Sequence, residues 1–462
     1  MMGNELFSFP FNRIPVEIWA NIFIMCLPSQ QYIQPNTSQA PLLLYQVNRA
    51  WRSTALSLSE LWSSISVELY ERSDVERKLE GIGAWLGRSG VRPLTISLHS
   101  GGVDLEDLPD LGWRDWESEV FLDPILDLFI SLIGRWEDIQ WKLLGPFYGS
   151  ILSIHLFRAP LLKRFEIDFN LGTSEVTKPL FSMLSTSPLL TDFVWHDNSN
   201  EYVCQFHKAE FTLPWSQLTQ FHTHHHLDVK TCLQVFGLCP NLIGCTLSFA
   251  ILGPPWTAIP PGVSVVHKLQ ALTLWGQRYQ TNEFFDHLTL PALSAFALES
   301  SVSNHDTGWP QDSFVGFLSR SGCHLKTFKV HTPALSSYEL VDLLCLLPTL
   351  TELSIEGLGD TLFHSLTYDE TTGGSCLCPK LEIFAFGGYF NSSDGTLARM
   401  LESRYHSDAS QSQNKCLRRV TIMLTDRYGY RRLDMYMKEL ETIRKKGLRV
   451  VVEKMDRRRR LI

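Results

Sequence analysis

His222, His224, His225 and His226 crowd into five residues, with Cys232 close behind and His196 on what reads as the adjacent strand. Neutral imidazole nitrogens and thiolates are the ligands zinc favours, so the group invites a metal reading. Alternation along a strand would put His222 and His224 on one face, which suits two ligands. No carboxylate or cysteine stands at a fixed ligand spacing, however, and Cys376-x-Cys378 lies several repeats away without a second pair. The spacing therefore favours solvated or hydrogen-bonded histidines, with no metal and no cofactor. Catalytic signatures are also missing. There is no Gly-x-Ser-x-Gly, no phosphate-cradling glycine loop with lysine and no His-Glu-x-x-His, while Gly253-Pro254-Pro255 and Gly373-Gly374 sit in loop-like contexts. The chain reads as non-catalytic.

The elements that would position these side chains form an irregular repeat. Its unit is Leu-x-x-Φ-x-Φ, with Φ apolar, following a helix-like stretch and a polar or proline break. Copies begin at Leu162, Leu190, Leu218, Leu242, Leu269, Leu293, Leu325, Leu350, Leu381 and Leu417, with a poor one at Ile139-x-x-Lys142-x-Leu144. Successive first leucines lie 24 to 36 residues apart. Earlier, 63–69 and 93–98 read as strands flanking a helix over 75–88. Return helices are expected over 228–238, 282–288, 312–320, 336–347 and 394–405, and Ser336 with Glu339 has the spacing of a capping box. A helix over 433–446 and a strand over 448–452 would close the far end, and Arg457 to Arg460 reads as a short solvated tail.

Composition bounds the rest. Of 462 residues, 44% are hydrophobic and 19% charged, with a formal net charge of −8, which argues against a nucleic-acid surface. The ten cysteines show no framework spacing and, with no secretory leader, read as reduced intracellular thiols. The longest apolar candidate span, Phe121 to Ile133, is interrupted by Asp123, Pro124 and Asp127, so no membrane segment is expected. The reading is a soluble protein, cytoplasmic or nuclear or both.

Ahead of the repeats, Ile14, Ile18, Ile22 and Cys26 fall four apart, with Trp19 and Phe23 widening the stripe and Pro15 in the opening turn of a helix that ends at Leu27-Pro28. After a polar stretch, Leu43, Val47, Trp51 and Ala55 repeat the spacing, as one helix or as two broken near Asn48. So small a helical unit is marginal without a partner.

The order Ile-Pro-x-Glu-Ile-x-x-x-Ile-Phe-x-x-x-Leu, then Gln-Val-x-Arg-x-Trp-Arg, then Leu61-Trp62, resembles the F-box, particularly the form in the large F-box families of mushroom-forming fungi. Three departures stand out: Ile14-Pro15 replaces the usual Leu-Pro, Asn48-Arg49 replaces Cys-Arg, and the insert from Ser29 to Ala40 is longer than the short turn of most animal F-boxes. The repeats resemble degenerate leucine-rich repeats that lack the regular asparagine.

These resemblances imply an α/β chain: an all-α F-box over 12–62, an irregular leucine-rich-repeat solenoid over 63–455 and a basic tail over 456–462. They imply the substrate-recognition subunit of a Skp-cullin-F-box ubiquitin ligase, monomeric within that complex. Ile14, Pro15, Ile18, Ile22, Phe23, Leu27, Leu43, Val47 and Trp51 would divide between the module's own core and the surface meeting the Skp adaptor. Periodicity leaves that division open.

Alternation assigns to the strand face, concave in such a solenoid, Arg164, Glu166 and Asp168; Asp192 and His196; His222 and His224; Trp275; Lys329 and His331; and Glu352 and Glu356. This face would hold an unknown protein target, with Trp275 as the aromatic anchor. Two other readings are an interaction scaffold that docks the adaptor without delivering substrates, and an intracellular hydrolase or metal-dependent enzyme with a helical cap.

Overall fold

In the computed structural model, every intact Leu-x-x-Φ-x-Φ copy places its first leucine and both Φ residues in the interior. Leu162, Phe165 and Ile167 are buried, as are Leu350, Leu353 and Ile355. The structure describes residues 14–69, 72–100, 122–143, 149–169, 174–197, 212–249, 264–276, 278–299, 309–332, 335–356, 359–368, 377–387, 395–405, 417–424, 440–441 and 443–454. Cys376, most of the expected helix over 433–446 and the basic tail lie outside them.

The chain forms two compact units, one ending at Gln217 and the other running on from Leu218. The first opens with α1 (Val16–Met25), α2 (Leu42–Val47) and α3 (Arg49–Ser57), then alternates strands and helices: β1 (Ser64–Leu69), α4 (Arg72–Arg88), β2 (Leu94–Ser100), α5 (Asp123–Ser131), β3 (Trp136–Leu143), α6 (Gly149–Leu152), β4 (Arg164–Phe169), α7 (Ser174–Ser185) and β5 (Asp192–Asp197). Each strand pairs in parallel with the next. Ile65, Ile96, Ile139, Phe165 and Phe193 form one buried row across the sheet, and Val67, Leu98, Trp141, Ile167 and Trp195 a second. The poor copy is out of phase with its strand: Trp136, Ile139, Trp141 and Leu143 are the inward residues of β3, Lys142 points outward, and Leu144 lies outside the described residues. Two tryptophans in place of aliphatic residues hid the pattern.

The second unit continues with β6 (Gln220–Leu227), α8 (Val229–Leu238), β7 (Gly244–Phe249), β8 (Ser264–Val265), β9 (Ala271–Trp275), α9 (Arg278–Asp286), β10 (Leu288–Thr289), β11 (Ala295–Glu299), α10 (Gln311–Ser321), β12 (Thr327–His331), α11 (Ser337–Cys345), β13 (Glu352–Glu356), α12 (Asp360–Leu366), β14 (Ile383–Gly387), α13 (Thr396–Arg404), β15 (Arg419–Leu424) and β16 (Arg449–Lys454). Again the pairing is parallel. Phe221, Cys245, Leu272, Phe296, Phe328, Leu353, Phe384, Val420 and Val450 stand in one row. β8 and β10 make a separate two-stranded ladder, which is why α9 stops at Asp286 and Leu288 is strand. The expected capping box is present: Glu339 N–H donates to Ser336 Oγ, and Ser336 N–H donates to the Glu339 carboxylate.

The first leucine is fixed by the hydrogen bonds that follow it. The next residue donates its N–H back to the preceding repeat, as Thr191 does to Lys163 O and Ile243 to Thr219 O, each at 2.8 to 2.9 Å. Parallel strands need a return connection, and here helices supply it, stacking side by side with their apolar faces against the rows. Between strands β9 to β12 the filling is aromatic: Phe285, Phe296, Phe314 and Phe328 have ring centroids 5.0 to 5.9 Å apart in successive pairs. Among the described residues no helix is long and apolar enough to cross a membrane.

One buried cation ties the outer loops of this unit together. Arg404, at the end of α13, donates Nη1 to Cys378 O at 2.9 Å, Nε to Leu366 O and Nη2 to Leu377 O. Replacing it with leucine would leave those carbonyls dry and unpaired. We expect Arg404→Leu to lower the unfolding free energy of this unit by about 3–5 kcal/mol, read from a denaturant titration, whereas the exposed Arg418→Leu should change it by no more than ~0.5 kcal/mol.

Candidate protein-binding surfaces

The three opening helices bury little of what they carry. α1 is apolar nearly all round, yet only Phe23 among its ten residues is buried. Phe23 packs on Trp51 of α3 with centroids 5.0 Å apart, and Trp19 packs on Trp51 at 5.5 Å. The opposite stripe faces solvent: Ile14, Pro15, Ile18 and Ile22 are exposed, Ile18 by 49%, and Met25 by 83%. Leu43 and Val47, one turn apart on α2, are exposed as well, and Leu27 is half-buried.

The structure sorts these residues into buried and exposed. Phe23 belongs to the module's core, Trp51 sits half-buried between core and surface, and the remaining apolar residues named for adaptor contact stay available. The break at Asn48 separates Leu43 and Val47 from Trp51 and Ala55. Its backbone is extended, and its side chain caps α3 by accepting from Trp51 N–H at 2.8 Å.

Two features fasten these helices to the strands. Trp62 is fully buried, donates its indole N–H to Ala55 O at 2.7 Å and packs edge-on against Trp85 of α4 at 4.9 Å. The Leu61-Trp62 pair thus ends the helices and begins the core of the strand-and-helix layer. The second fastening is the insert from Ser29 to Ala40. It returns along the edge of β1, where Ser66 N–H donates to Ile33 O at 2.8 Å and Ser64 Oγ to Gln31 O at 2.7 Å. Ile33 is buried.

From there Tyr32 reaches across the outer strand face. Its hydroxyl donates to Asp138 Oδ1 at 2.6 Å and accepts from Arg164 Nη1 at 3.1 Å, while Gln31 Nε2 donates to the other Asp138 oxygen. Arg164 also bonds Glu166 Oε2 at 2.6 Å and Asp192 Oδ2 at 3.1 Å, and His196 Nε2 stands 3.6 Å from Glu166 Oε1. Four of the residues assigned to target binding, Arg164, Glu166, Asp192 and His196, are therefore one network, with Glu166 and His196 buried rather than displayed. Strands 4.8 Å apart bring outward side chains into contact with one another, and opposite charges close over the shorter groups.

The electrostatics follow from that packing. Burial alone would push the Glu166 carboxyl up, but His196 and Gln140 contacts and the Arg164 charge outweigh it and hold it at about 2. Burial would likewise lower Arg164, and Glu166, Tyr32, Asp192 and Asp138 together raise it instead. Asp138 and Asp192 are pushed up, chiefly by burial. Tyr32 is pushed up as well, by burial and by the Asp138 hydrogen bond.

In the second unit the histidine cluster alternates as expected. His222, His224 and His226 face outward and His225 is buried. His222 Nδ1 lies 2.8 Å from Thr246 Oγ1, His226 Nδ1 lies 3.0 Å from Ser248 Oγ, and His224 packs edge-on against Trp275 at 5.6 Å. A bulge in β6 between His222 and His226 gives both a strand neighbour on β7. No group of three or more potential metal ligands is assembled among the described residues.

Trp275 is half-buried against His224 rather than standing free as an anchor. Lys329 pairs with Glu352 at 2.8 Å, both partly exposed, and Asp168 and Glu356 are partly exposed on the same side of their strands. His331 is buried, with Nδ1 2.7 Å from Glu299 Oε1 and Nε2 2.8 Å from Ser354 Oγ. Glu299, like Gln31, Tyr32 and Asp138, was not singled out from sequence. Only the Tyr32-Ile33 pair inside a polar insert hinted that the segment docks.

No family model matches the chain, and no curated protein matches it. Among solved structures, a Bacteroides fragilis protein determined by crystallography aligns over 74% of this chain and 72% of its own, at 14% identity and a TM-score of 0.28.

Glu166 gives a pH prediction. A carboxyl lowered in the folded state adds stability above its unfolded pKa, near 4.5, and loses it as pH falls toward 2. Glu166→Gln should therefore destabilise the first unit by on the order of 3 kcal/mol at pH 7, and the gap from the parent should close between about pH 5 and pH 2 in urea titrations. A gap that stays constant across that range would place the stabilisation in packing instead of charge.

Proposed function

We propose that the chain is the substrate-recognition subunit of a Skp-cullin-F-box ubiquitin ligase. The observation that carries this reading is the exposed stripe of Ile14, just ahead of α1, with Ile18 and Ile22 on it, joined by Leu43 and Val47 on α2. A helix apolar on nearly every face is ordinarily buried, so one that covers only Phe23 has surface to give to another protein. These are the positions the F-box resemblance assigns to adaptor contact. The parallel strand-and-helix units behind fit a degenerate leucine-rich-repeat solenoid, whose outward strand residues would hold the target.

The clasp between the insert and the strands supports the same division of labour. Tyr32 and Trp62 fix the helices to the first strands, so an adaptor held by α1 and α2 would stand at a set place relative to cargo on that unit's strand face. The contribution to ubiquitin transfer is proximity, which turns an encounter between charged conjugating enzyme and target lysine into a local event. No covalent step by this chain is needed.

Ile18→Asp with Ile22→Asp should abolish co-purification with a Skp-type adaptor while moving the unfolding free energy by no more than about 1 kcal/mol, since both side chains are exposed. Adaptor capture undiminished by the two charges would refute the assignment. Adaptor binding without turnover of any captured target would leave the scaffold reading in its place.

A further inference from the structure

Glu299, His331 and Ser354 come from three successive strands, β11, β12 and β13, and meet in line on the outer face of the second unit. Glu299 and His331 are direct register partners, while Ser354, in register with Lys329, is the diagonal neighbour of His331. A carboxylate only accepts hydrogen bonds, so the 2.7 Å contact at Glu299 Oε1 assigns the imidazole proton to Nδ1. Nε2 is then an acceptor, and the Ser354 hydroxyl at 2.8 Å is the donor. A nucleophile, a base within reach of its proton and a third group orienting that base make the arrangement that activates a serine.

The surroundings fit this chemistry. On the far side of Ser354 the register partner is Ala385 of β14, followed on the same face by Gly387. The floor beside the hydroxyl is therefore a methyl and a bare backbone. Met423 of β15 leans across it, with Sδ 4.0 Å from Ser354 Oγ. A Cβ at Gly387 would meet Met423 Cβ and carbonyl oxygen at 2.8 Å, so the glycine is what lets Met423 pack at that register position. Met423 is flexible and covers a hydroxyl that is otherwise poised. Lys329 is the register partner of Ser354, and its ammonium pairs with Glu352 at 2.8 Å.

We infer that Ser354 is an activated nucleophile, with His331 its general base and Glu299 a positioning residue, forming an acyl-transfer site for small esters beneath Met423. In the first step the Ser354 Oγ–acyl carbon bond forms while the hydroxyl proton passes to His331 Nε2. The ester C–O bond then breaks, and the departing alkoxide takes the proton from His331. Water repeats the sequence and releases the carboxylic acid. This site is independent of adaptor binding, which rests on the first unit.

An alkyl fluorophosphonate tests the first step directly, since the Oγ–P bond forms as P–F breaks and the His331-bound proton leaves with fluoride. Treating the full chain, followed by peptide mass mapping, should place one phosphonyl group on Ser354. His331→Gln should slow labelling by about a hundredfold or more. Glu299→Gln should slow it, and Glu299→Asp, which keeps a carboxylate to accept from Nδ1, should recover part of the rate. Met423→Ala should speed it. An unmodified Ser354 in both the parent and the Met423→Ala chain overturns the proposal, as does labelling of His331→Gln at the parental rate.

Discussion

The in-register parallel ladder is the constraint on which everything else depends. Once Phe165 pairs with Phe193, or Leu353 with Phe384, every inward residue of a strand stands beside an inward residue of the next. A slip of one residue would turn the whole buried row outward. The interior rows therefore fix the outward ones too, and side chains distant in sequence become neighbours at strand spacing. Helices enter as the connections that parallel strands require, and their apolar faces close the other side of the rows.

Outward rows obey the same geometry with different chemistry. Charged and polar residues brought within about 5 Å of one another satisfy each other before they satisfy solvent. That is why Arg164 gathers Glu166, Asp192 and Tyr32, and why His331 lies between Glu299 and Ser354. A strand face read as a row of displayed side chains is in this protein largely bonded to itself, with one such network in each unit and the partly exposed Lys329–Glu352 pair beside the second. Burial and partners together then set the acid-base properties: at Glu166 the partners outweigh burial and lower the carboxyl, while at Cys239 burial pushes the thiol up to about 12.

The opening helices live under the reverse condition. They are too short to enclose their own apolar residues, and only Phe23, Leu44 and Ala55 are buried within them. Their attachment relies on Trp62 in the first core layer and on the insert that lies along β1. What those fastenings leave uncovered is the stripe on α1 and α2.

Much of this was legible in the sequence, for a local reason. A repeated first leucine, two apolar positions at fixed offsets and a capping box are short-range signals, and each names its own strand or helix start. Hence ten copies are in phase with their strands, while the spacing leaves open one helix or two broken near Asn48, and the structure has two. The copy at β3 was misread because Trp136 and Trp141 replace the aliphatic residues that define the pattern. Tertiary structure alone decided the partners. Tyr32 meets Asp138 across 106 residues, and Glu299 meets Ser354 through a histidine from a third strand, because register and not spacing along the chain brings outward side chains together. Periodicity likewise marked Phe23 and Ile22 alike as apolar, and only the packing of α1 on Trp51 buried one and exposed the other.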